Sequence, residues 1–90
     1  MTIYILGTMY NISYVDKMDN DHVGETDFKK KEITILNDET QDLDTVVKHE
    51  IMHAFFYEAG LLDYAKDELL VDFLAVQFWK IKDLMEKVTL

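Results

Sequence analysis

Cysteine, proline and arginine are absent from these 90 residues, and there are only three glycines and three histidines. Without cysteine there can be no disulfide scaffold and no cysteine-ligated zinc finger. Any metal site must be built from His, Asp and Glu. Without arginine every basic residue is a lysine, and nine lysines face eighteen acids for a net charge of −9. A basic surface that could follow a phosphate backbone is missing, which argues against a nucleic-acid partner. The acidic balance favours basic or neutral partners and solubility. No apolar run approaches the ~20 residues that a membrane helix requires. Residues Met1–Gly7 also lack the basic leader of a signal peptide. The expectation is a soluble, cytoplasmic protein without membrane contact.

The chain is long enough for one domain, and a hydrophobic fraction of 49% with 12% aromatics can supply its core. Thr2–Leu6 is β-branched and aromatic and reads as a strand. After a turn at Gly7-Thr8, Met9–Val15 alternates, with Tyr10, Ile12 and Tyr14 on one side and Asn11 and Ser13 on the other. The two segments suit a hairpin with one buried face. Asp16–Gly24 is polar and reads as an exposed loop. His22 within it is a conceivable ligand, but nothing beside it has ligand spacing, so it reads as solvated. The Asp16–Asp21 acids lack the glycine and terminal glutamate of a calcium loop. Lys29-Lys30-Lys31 reads as a hairpin tip or strand rim before a strand at Ile33–Leu36. The fold class that follows is α+β. A small antiparallel or mixed sheet of three to four strands occupies residues 1–37. It packs on two long helices, 43–59 and 67–87, in a single domain over 1–90.

The first of those helices carries His49-Glu50-Ile51-Met52-His53, an H-E-x-x-H pattern. It is free of proline and internal glycine, is preceded by candidate N-caps around Asn37–Asp42, and ends at Gly60. Helix positions four apart lie on one face, so His49 and His53 can offer ring nitrogens to one ion. Glu50 stands beside them, where its carboxylate can reach a metal-bound water as general base. The alternative is a pair of helix-face histidines satisfied by ordinary hydrogen bonds. Apolar residues surround the motif, however, and buried polar groups without partners are costly.

A catalytic zinc normally takes a third protein ligand and leaves one position open. The short connection Leu61–Lys66 makes the two helices antiparallel neighbours, so the first turn of the second lies near the end of the first. That turn carries Glu68, the candidate third ligand. Asp72, one turn on, is placed to accept a hydrogen bond from the outer nitrogen of a ligand histidine. Ala75 and Trp79 continue the stripe, with Ala75 small enough for close approach. Asp67 suits the helix start, about 100° away from Glu68. The competing reading of these acids is a cluster favoured by the helix dipole. Phe78, Trp79 and Met85 suit the core or a dimer contact, with the core preferred.

His49-Glu50-x-x-His53 followed by Glu68-x-x-x-Asp72 resembles the pattern of the gluzincin peptidases. The compact context is similar to ImmA/IrrE-type peptidases and to small phage and prophage proteins of that kind, over residues 33 to 79. The resemblance implies a minimal zincin-like domain holding one Zn²⁺ through His49, His53 and Glu68. It assigns Glu50 as the catalytic base and Asp72 as the partner of a ligand histidine. It also implies an edge strand over the site, with Ile33–Leu36 the candidate, that receives an extended peptide or protein substrate. A regulatory protein is the substrate class it suggests. The chain departs from larger members in having no second domain as a far cleft wall and no histidine downstream of Glu68. Tyr57 and Tyr64 are the nearest hydroxyls, and both also suit packing roles.

Three functions remain open on the sequence. One is a zinc-dependent metallopeptidase, for which Mn²⁺ or Fe²⁺ also suit the ligands. Another is a metal-binding regulator or peptide-binding module without hydrolysis. The last is a helix pair that binds no metal.

Overall fold

The computed structural model describes residues 1–88. Strands β1 (Thr2–Ile5), β2 (Thr8–Val15), β3 (Gly24–Asp27) and β4 (Glu32–Leu36) precede helices α1 (Leu43–Glu58), α2 (Leu62–Ala65) and α3 (Glu68–Glu86). The architecture is α+β, with a four-stranded mixed sheet in the order β1-β2-β4-β3. β1 and β2 form one antiparallel hairpin and β3 and β4 another, and the two join through parallel pairing of β2 with β4.

Alternation decides which face is buried. Ile5, Tyr10, Ile12, Ile33 and Ile35 all point to one side of the sheet and form the core with Ala54 of α1. The register places Ile12 opposite Ile33, so the parallel seam is also the centre of the core. Leu43, Val46, Val47 and Ile51 pack α1 against it. Tyr14 shares the inward side of β2 but is half exposed, outside this cluster. α1 touches β1, β3 and β4 on one flank and α2 and α3 on the other. A helix with apolar residues on most of its faces fits that middle layer.

The helix ends match their local chemistry. Asp42 caps α1 by accepting from the Thr45 N–H, and Asp67 caps α3 through the Leu70 N–H. α1 closes in a Schellman motif: the Leu61 N–H reaches the Phe56 carbonyl, the Gly60 N–H reaches Tyr57, and Gly60 has φ +79°.

Three sequence expectations require correction. Gly24–Asp27, given no element of its own from the sequence, is the strand β3. The segment Ile33–Leu36 is not an edge strand, because β4 lies between β2 and β3 and the edge is β3. The connection Leu61–Lys66 contains the short helix α2. Lys29 to Lys31 do form a hairpin tip, ordered by Asp27 accepting from the Lys29 and Lys30 N–H groups. These hydrogen bonds, Lys30's first, hold the Asp27 carboxyl below its usual range.

Tyr10 reaches through the core to the end of α1. Its hydroxyl donates to Glu58 at 2.6 Å, and Lys31 Nζ contacts the same oxygen at 2.8 Å. Lys31, then Tyr10, lowers the Glu58 pKa, while burial and Glu58 raise that of Tyr10. A carboxylate whose folded pKa is depressed contributes stability above its unfolded pKa and loses it as pH falls through the folded value. Glu58→Gln should therefore cost about 1 kcal/mol near neutrality. The gap from wild type should close in acid below the ordinary glutamate range, read by urea titrations at a series of pH values.

The β1–β2 turn offers a second test. Leu6 and Gly7 have φ +48° and +84°, the signs of a type I′ turn. Leucine is poorly suited to that region, whereas asparagine tolerates it. Leu6→Asn should raise stability by about 0.5–1 kcal/mol, seen as a higher urea midpoint at unchanged slope.

Candidate metal centre

α1 supplies His49 and His53 one turn apart, and the first turn of α3 brings Glu68 to them. The Nε2 atoms of the two histidines are 3.0 Å apart. Glu68 Oε2 lies 3.1 Å from His49 Nε2, and Glu68 Oε1 lies 3.1 Å from His53 Nε2. The group offers ligand atoms within 4.8 Å of one another, close enough to bind one metal ion. Tetrahedral zinc with bonds of about 2.0–2.2 Å sets its donors about 3.3 Å apart. The three contacts lie near that spacing.

The outer ring nitrogens decide the electrostatics. His49 Nδ1 is 2.6 Å from Asp72 Oδ1. A carboxylate and a carbonyl only accept, so Nδ1–H donates on both rings, to Asp72 from His49 and to the Ala65 carbonyl from His53. In neutral rings that leaves both Nε2 atoms as bare lone pairs. Two lone pairs and a carboxylate then face one another at about 3 Å, an arrangement that repels itself. A divalent cation reverses the sign of all three contacts. The donor set, its spacing and its tautomers therefore fit a metal.

Glu50 is on the same helix but turned toward the sheet, and it is only 6% exposed. Its Oε1 accepts from the Thr26 hydroxyl at 2.8 Å, and its Oε2 is 4.0 Å from His49 Nε2. Burial raises its pKa, with the Thr26 hydrogen bond and the histidines opposing. The backbone of β3 passes close by. A Cβ at Gly24 would sit 2.9 Å from both Glu50 Oε2 and Val46 Cγ1, so any larger residue there would displace one or both of those side chains.

These residues line a cleft of about 700 Å³. Asp21, Glu25, Glu68 and Asp72 give its rim an acidic character, with Lys66 the one lysine among the lining residues. His22 is exposed and reaches the same cleft, but it does not belong to the ligand group.

The five residues given a ligand, base or ligand-orienting role from the sequence, His49, Glu50, His53, Glu68 and Asp72, all line this cleft. Sequence reasoning missed Thr26, Gly24 and Ala65. Thr26 and Gly24 fall in the unanticipated strand β3. Ala65 acts through its backbone, which side-chain identity does not report. Tyr57 stacks on Phe28 at 4.3 Å, and Tyr64 packs edge-on against Phe56. Neither tyrosine lines this cleft. Among the described residues no helix is long and apolar enough to cross a membrane.

Comparison with protein-family models, curated proteins and solved structures finds no match.

Asp72→Asn removes the charge that holds the His49 tautomer while leaving a side chain of the same size. Divalent-metal affinity should fall by about 10- to 100-fold, measured by competition with a chromogenic chelator.

Proposed function

We propose that the chain is a zinc-dependent metallopeptidase with a gluzincin-like site and a basic peptide or protein segment as substrate. The observation that carries this reading is the convergence of two Nε2 lone pairs and the Glu68 carboxylate, with Glu50 alongside. His49, His53 and Glu68 hold the ion. When bound, Zn²⁺ supplies Lewis acidity and brings the pKa of a coordinated water to about 7.

The chain's own residues supply the rest. Glu50 takes the proton of the attacking water and later returns it to the leaving amine. Thr26 anchors one oxygen of that carboxylate at 2.8 Å, which leaves the other turned to the histidines. Burial makes Glu50 more basic than an exposed glutamate, in the direction a general base needs. Asp72 and Ala65 keep both imidazoles in the ligating tautomer. β3 lies at the sheet edge beside the cleft, where an extended substrate can add as a further strand. The acidic rim draws basic side chains. A regulatory protein, in a phage setting, is the substrate class that the sequence resemblance suggests.

Among the described residues no tyrosine hydroxyl lines the cleft to steady an oxyanion, which favours a second reading, a metal-binding module that holds a peptide without cutting it. Elemental analysis tests the metal site common to both readings, and a cleavage assay separates them. Elemental analysis of purified protein should give one zinc per chain, and His53→Ala should lose it. Wild type should cleave members of a basic peptide library in a chelator-sensitive manner. Glu50→Gln should retain the metal and lose about 10²-fold or more in rate. Wild type that keeps its zinc and only binds peptide is the second reading. Undiminished hydrolysis by Glu50→Gln rules out the proposed base.

A further inference from the structure

The distal half of α3 contributes no buried residue to the core, and its contact with α1 is Lys48 over the Trp79 ring. The residues of α3 packed into the interior are Val71 and Ala75, both in its first half. Beyond them the helix stands clear of the body: Ile81 is 46% exposed and Leu84 64%, and Val88 past its end is 64% exposed. Phe78, Trp79 and Met85 are also exposed, so the core position preferred for them on the sequence is incorrect. The helix gives the molecule a long axis of 47 Å and a radius of gyration of 13.9 Å. A compact chain of this length has a radius of about 12 Å.

The area is that of an interface. A folded monomer of this mass exposes about 5,500 Å², whereas this chain exposes 6556 Å². The excess is about 1,000 Å², and each partner in a standard interface buries roughly 800 Å².

The pattern on this surface is self-complementary. Leu70, Leu74, Gln77, Ile81 and Leu84 follow a strict four-three spacing within α3, the first three half-buried and the last two exposed. At 100° per residue they form a seam centred roughly 120° from the Val71–Ala75 line that faces the interior. Leu70 and Leu84 lie at equal distances on either side of Gln77. Charge selects the orientation. Residues 76–88 carry three lysines and two acids, whereas the rest of the chain carries six lysines and sixteen acids. An antiparallel pair lays each mildly basic helix end toward the acidic body of its partner. A parallel pair brings two acidic bodies together.

We propose that the chain forms a two-fold symmetric homodimer through an antiparallel pairing of α3, with Gln77 facing Gln77 of the second copy on the axis. Leu70 of one copy packs against Leu84 of the other, and Leu74 against Ile81. The two amides hydrogen-bond across the axis and fix the register of an otherwise apolar seam. The two metal centres then lie on well-separated bodies, each with its cleft open.

Sedimentation equilibrium of the full chain tests this over about 1 to 100 µM, the weak end of affinities for interfaces of this size. The wild type should weigh twice 10.6 kDa. Ile81→Asp with Leu84→Asp should weaken association by at least about tenfold, with helical circular dichroism retained because both positions are exposed. The chain has no cysteine, so introduced thiols report geometry without background. Leu70→Cys mixed with Leu84→Cys should form the mixed disulfide in preference to either self-pair. A mass of 10.6 kDa throughout the range, a dimer indifferent to the double aspartate variant, or preferred self-pairing of Leu84→Cys overturns the proposal.

Discussion

Three electron-rich groups held within about 3 Å of one another are the constraint on which this structure turns. Left to themselves His49, His53 and Glu68 would separate. Their positions are imposed from outside: the spacing of two residues on one helix, the antiparallel return of a second, and acceptors on the outer face of each ring. Asp72 comes from α3 and Ala65 from α2, so both elements after α1 help to orient its histidines. The sheet contributes from the other flank through Thr26 and the bare backbone of Gly24. Strand β3, helices α1 and α2 and the first turns of α3 therefore bear on one point in space.

Burial is distributed unevenly around that point. Glu50 and His53 are 6% and 7% exposed, whereas the side chains of Glu68 and Asp72 are 69% exposed. The α1 face of the site is largely buried, and the α3 face is open to solvent. A ligand set with one wet side leaves room for a further molecule to approach the ion position. The buried side raises the proton affinity of Glu50.

Much of this was legible in the residues themselves. The alternation of Tyr10 and Ile12, the cap at Asp42 and the stop at Gly60 are local signals, and each holds. The trio was legible because a four-residue spacing and a short connection leave few places for the ligands. β3 was not legible. Gly-Glu-Thr-Asp has little intrinsic strand preference, and these residues are extended because β4 offers a free edge to pair with. The interior position of β4 depends on its parallel pairing with β2, a contact between distant segments that no local pattern encodes. The hydrogen bond from His53 to a main-chain carbonyl was invisible for the same kind of reason. The exposure of α3 beyond Ala75 was missed because an amphipathic repeat shows that a face is apolar, not what covers it.

The trio joins residues that are well separated along the chain. Fourteen residues lie between His53 and Glu68, and they include the whole of α2. A cation gripped at both ends would tie off that segment as a ring, restricting the unfolded chain as a covalent link does. For a disulfide, a ring of fifteen residues is worth about 3 kcal/mol of chain entropy. In a small protein without cysteine, a bound ion would then serve as the molecule's tether, and the ordering of α2 would track its presence.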